Sequence, residues 1–218
     1  MTTGNAVAAT ELFDHASDQV QEFVADTLGS GRRSEADRAV ALYYAVRDGI
    51  FYEVFDTDLS PVGLRASSVV SAGRGFCLHK SILYVAALRS VGIAARLVSS
   101  RVVNHLASPE LSTLVGGEEF LHWLVSLWVD GRWIYATPVF NKMLCRLYRI
   151  EPLEFDATAD SLFHPHEAGK AMTFLGDKHH FPDPRPEQIV ELIRAAHPGM
   201  VGADLKVPAL GSVARQAR

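Results

Sequence analysis

The sequence predicts an α+β fold in which a cysteine-bearing helix packs on a mainly antiparallel sheet. Three observations predict it. Helically spaced apolar residues fill the N-terminal part of the chain. The glycine-punctuated turn Gly73-Arg74-Gly75-Phe76-Cys77 runs straight into a long apolar helical pattern, and Asp130-Gly131 separates two aromatic, β-branched runs. Helices first and strands later give segregated helix and sheet layers.

Taken in order, residues 11–28 carry Phe13, Val20, Phe23 and Val24 at positions that suit one packed helix, and Gly29-Ser30-Gly31 breaks it from the next. Ser34 is the expected N-cap of a second helix, with Val40, Leu42, Tyr43, Val46 and Ile50 facing inward, followed by an extended Phe51-Tyr52-Glu53-Val54. Cys77 opens a third helix, continued through 78–88 and ended by Gly92. Residues 93–103 alternate as a strand, and 104–117 read as a polar, glycine-containing connection. With Asp130 and Gly131 as a two-residue hairpin loop, Leu124 faces Thr137 and His122 faces Val139, so Thr137 lies diagonal to His122 on one face. Residues 151–186, rich in His, Asp and Pro, read as a long irregular connection. Neither internal repeats nor low-complexity segments interrupt the pattern.

At 218 residues and 48% hydrophobic, the chain can bury one sizeable core, so a single domain with peripheral helices is expected. A net charge of -4, with no basic run interleaved with aromatics, gives no footprint for nucleic acid. Arg89 and Arg96 interrupt the longest apolar region, and no membrane span is expected. The first sixteen residues lack a basic start and a continuous apolar core, so the expected compartment is the cytoplasm, where Cys77 and Cys145 would stay reduced. Two cysteines make no disulfide framework, and their spacing fits no zinc motif.

The candidate chemistry centres on Cys77. Amides at a helix start favour a thiolate, and a cationic partner lowers the thiol pKa further. His122 is the candidate partner, and Thr137 its candidate orienting group. Residues 151–186 admit two functional readings: a flap that walls a cleft, or a metal site built on Asp160, His164 and His166. Solvated surface histidines are favoured over the metal, because the spacing matches no established metal motif.

Gly75-Phe76-Cys77, the helix end Leu88-Arg89-Ser90-Val91-Gly92-Ile93-Ala94-Ala95-Arg96, His122-Trp123, and Trp133-Ile134-Tyr135-Ala136-Thr137-Pro138 together resemble the transglutaminase-like family, specifically a bacterial branch of it, over residues 38–199. The resemblance implies a papain-like cysteine-enzyme core at 34–200, with an N-terminal helical segment at 1–33 and a C-terminal tail at 201–218. It also implies a catalytic Cys77 and His122. The family usually carries aspartate where this chain has Thr137. Three readings follow: Thr137 orients His122 weakly, Asn141 plays the asparagine role of papain-like enzymes, or catalysis is lost. The implied substrate is a peptide, amide or acyl thioester, attacked without a cofactor. Hydrolysis by water, acyl transfer to an amine and non-catalytic peptide binding are the three expected outcomes.

Overall fold

The computed structural model describes residues 6–105, 107–162 and 172–201. Its elements are α1 (Asp18–Leu28), α2 (Glu35–Gly49), β1 (Phe51–Tyr52), α3 (Ala66–Ala72), β2 (Arg74–Gly75), α4 (Cys77–Ser90), β3 (Ala95–Asn104), α5 (Pro109–Val115), β4 (Glu119–Val129), β5 (Arg132–Ala136), α6 (Lys142–Tyr148), β6 (Met172–Phe181) and α7 (Pro186–Ala196). A 3-10 turn, Pro198–Val201, follows α7. The main sheet is antiparallel with strand order β5-β4-β3-β6, and β1 and β2 form a small parallel pair.

The core gathers around α4, which is buried from Cys77 through Arg89. A helix apolar on all sides belongs inside, and α4 packs against α1, α2 and α3 on one side and β3 and β4 on the other. Its long polar side chains find partners, while the Ser81 hydroxyl and His79 Nδ1 have none among the described residues. Lys80 Nζ donates to the Arg47 and Ile50 carbonyls at 2.8 and 2.7 Å, and burial pushes its pKa down to about 7. The Arg89 guanidinium donates to the carbonyls of Ala8, Ala95 and Pro182 and to the Asp183 carboxylate. Buried polar groups cost little only when paired in this way.

Several sequence expectations hold. Ser34 caps α2 in a reciprocal capping box with Asp37, because a short hydroxyl and a carboxylate three residues on satisfy two otherwise orphaned N–H groups. Gly92 takes φ 80° just past α4, where L side chains are strained. The Asp130-Gly131 hairpin has the expected register, Val129 opposite Arg132 and Val125 opposite Ala136. Both loop residues have positive φ, 50° and 81°, as a two-residue turn matched to strand twist requires.

Others are corrected. The helix expected over 11–28 begins only at Asp18, because the turns before it tuck Leu12 and Phe13 fully into the core. The connection expected over 104–117 contains α5, started by Ser108, whose hydroxyl accepts from Leu111 N–H, and by Pro109 in the first turn. The irregular stretch expected over 151–186 contains β6, which pairs with β3 at the sheet edge. His164 and His166 lie outside the described residues.

Candidate active site

The turn before Cys77 is shaped by one positive φ and one close approach. Gly73 adopts φ 63° to end α3, and Gly75 continues into the β2 pairing with Tyr52. A Cβ on Gly75 would stand 2.4 Å from the His79 Cβ, so only glycine lets the chain fold back onto the first turn of α4. Phe76 occupies the N-cap without a capping side chain. The first-turn amides of Cys77 and Leu78, together with the Trp123 amide of β4, favour the Cys77 thiolate.

Burial opposes them and wins. Cys77 is 7% exposed, and its thiol is pushed up to about 12. The helix start predicted a lowered thiol pKa, and the sealed surroundings reverse that sign. Cys145 is also buried, pushed up to about 11, with its sulfur against the Phe140 carbonyl.

His122 lies on β4 opposite Ser100 of β3 and is 3% exposed. The Phe174 ring of β6 meets it edge-to-face at 5.9 Å. Cys77 and His122 line one chamber of about 40 Å³, together with Tyr52, Asn104, Met172, His197 and Met200 among others. The two residues singled out from sequence are therefore brought to one cavity. Burial and the neighbouring Cys77 raise the Tyr52 phenol well above its usual range, which keeps it a protonated donor.

Thr137 and Asn141 lie outside the described lining of that chamber. The β4–β5 ladder stops at Ala136, so Thr137 has already left the strand. Its carbonyl accepts from the Tyr43 hydroxyl at 3.1 Å. Its own hydroxyl is buried and has no hydrogen-bond partner among the described residues. Asn141 caps α6, its Oδ1 accepting from Leu144 N–H at 3.0 Å. In this arrangement the Thr137 hydroxyl does not hold His122, and the Asn141 carbonyl is used by a helix.

Sequence reasoning missed Phe174 as a neighbour of His122, and Met172, His197 and Met200 as chamber residues. The signal for the last two was present: Pro186 at a helix start with Ile189 and Ile193 spaced four apart announces an amphipathic α7 that leads into His197. Among the described residues, no cluster of three or more His, Cys, Asp or Glu is placed to hold a metal ion, and no helix is long and apolar enough to cross a membrane.

No curated protein matches the sequence. Among solved structures, the chain is similar to the crystal structure of "a Putative Cysteine Protease from Cytophaga hutchinsonii", with 13% identity and a TM-score of 0.47 over 81% of this chain and 52% of that one. The chain thus spans about half the length of that protein. A family model described as the transglutaminase-like superfamily matches residues 22–138, a span that runs from within α1 past the end of β5 and includes Cys77, His122 and Thr137. The helix-on-antiparallel-sheet core is the fold of that family, and the chain belongs to the transglutaminase-like superfamily.

Proposed function

We propose that the chain is a cysteine-dependent enzyme that attacks an amide or thioester carbonyl and resolves the thioacyl-enzyme with water. The observation that carries this reading is the placement of Cys77 at an uncapped helix start, with His122 lining the same chamber. In the first step His122 takes the thiol proton and Sγ attacks the carbonyl carbon. The Cys77 N–H and the Tyr52 hydroxyl stabilise the developing oxyanion. As the intermediate collapses, the leaving amine or thiol takes the proton from His122. The imidazole then deprotonates water, which releases the acid and restores the thiol.

An amine in place of water would make the same site an acyltransferase. Hydrolysis is the favoured reading because water needs no binding site. Threonine at position 137, where the family usually carries aspartate, favours a second reading, a peptide-binding relative without turnover, since a hydroxyl offers only a neutral hydrogen bond.

The test is turnover on mixed amide and thioester donors, followed by intact mass. Cys77→Ala should abolish turnover and the acyl adduct. His122→Ala should cost a thousandfold or more, and Tyr52→Phe about 10²-fold, as loss of one oxyanion donor does. Thr137→Val should cost tenfold at most, the rate equivalent of one neutral hydrogen bond. Binding of donors without any adduct on Cys77 would establish the peptide-binding relative instead.

A further inference from the structure

The chamber around Cys77 is narrow, about 40 Å³, and both Cys77 and His122 are almost wholly buried in its wall. One residue of its wall is shared. Met200 also lines a separate cleft of about 550 Å³ between the 57–61 loop and α7, with Leu59, Pro61, Val190, Glu187 and Glu191 around it. The same two chain segments border both spaces. Val54 lines the chamber and Thr57 and Leu59 the cleft on one side, while His197 lines the chamber and Arg194 the cleft on the other.

Met200 is held in a fitted seat. The His197 ring bridges two elements: Nδ1–H donates to the Val115 carbonyl at 2.9 Å, and Nε2 accepts from Leu121 N–H at 2.8 Å. Those bonds fix the neutral Nδ1–H tautomer. Met200 N–H in turn donates to the His197 carbonyl at 3.0 Å. Between them, Gly199 lies so close to α5 that a Cβ there would stand 2.4 Å from the Leu114 carbonyl oxygen. Glycine and histidine each fit this seat for a separate physical reason.

We propose that Met200 is the gate between the nucleophile chamber and the cleft, and that the cleft receives the acyl portion of the substrate. His197 is the positioning residue that keeps the gate shut. This rests on the reading of Cys77 as the nucleophile. The cleft's apolar wall of Leu59, Pro61, Val190 and Met200 suits an extended, largely apolar acyl chain, and Glu187, Glu191 and Arg194 put both signs of charge in its lining.

Alkylation of Cys77 tests the gate without turnover. The full chain is treated with iodoacetamide and with the bulkier N-phenylmaleimide, and each cysteine is followed by peptide mass. Met200→Ala should speed maleimide labelling of Cys77 at least tenfold, iodoacetamide labelling less, and leave Cys145 unchanged. His197→Ala should speed both reagents, whereas His197→Gln, which keeps one donor and one acceptor, should stay near the parent. Maleimide labelling within twofold of the parent in folded Met200→Ala overturns the gate. If Cys145 labelling shows that this variant is unfolded, Val190→Trp decides. Filling the cleft must slow maleimide labelling of Cys77 at least fivefold and spare iodoacetamide, and equal slowing of both or of neither overturns the proposal. A gate that fails while Cys77-dependent turnover persists leaves the proposed function standing. A gate that passes in a protein without turnover leaves only the gate.

Discussion

A thiol buried in the wall of a narrow chamber keeps its proton. Nearby backbone amides favour the thiolate, yet removal from water disfavours the anion more strongly, and the balance leaves Cys77 pushed up to about 12. The sign is definite: burial stabilises the neutral thiol, so reactivity grows as pH rises. Iodoacetamide labelling of Cys77 should therefore climb about tenfold per pH unit from pH 7 to 9 without a plateau, as expected for a thiolate fraction far below its midpoint. A plateau below pH 8, followed by mass spectrometry, would contradict the enclosed state. Cys77 and His122 were both legible as residues, since each stands in a distinctive local pattern. Their enclosure was not, because the residues that seal them come from β6 and from the segment after α7, far away in sequence.

Elements were legible where local geometry is forced. Asp130-Gly131 dictates a turn with two positive φ values, and the register of the hairpin follows from it. β6 was illegible for the opposite reason. Its sequence, Met-Thr-Phe-Leu-Gly-Asp-Lys-His-His-Phe, has the mixed exposure of an edge strand, contains Gly176 at φ 69°, and faces a register shift between Ser99 and Arg101 of β3. Such a strand is specified by the neighbour it pairs with rather than by its own alternation. The turn entering α4 belongs with the forced elements. Gly75→Ala should cost about 1–3 kcal/mol, because its methyl group would meet the His79 Cβ and the backbone at the nucleophile must shift to relieve it. Urea unfolding measures the loss, and a change under 0.5 kcal/mol would show that the turn can yield.

Across the whole molecule, Arg89 joins segments that the chain order keeps far apart. Its guanidinium holds Ala8 near the start, Ala95 at the head of β3, and Pro182 and Asp183 just past β6, with the Phe13 ring 4.5 Å beneath its carbon. Arg89→Ala should cost about 3–5 kcal/mol, since it strands buried carbonyls and an ion-pair partner together. A fall in Tm of less than a few degrees would mean that water takes over those acceptors. The layered helix-then-sheet architecture was readable from the order of patterns along the chain. This long-range tie was not, because an arginine in an apolar helix announces that it needs partners without saying which. The chamber has the same long reach, with Tyr52 and Met200 at its two sequence extremes. During synthesis, a chain emerging N-terminus first presents the Cys77 helix and His122 long before Met172, His197 and Met200 exist to cover them. Until those residues arrive, the Cys77 sulfur stays open to any electrophile nearby, so the thiol is unguarded for as long as its covering segments are unmade.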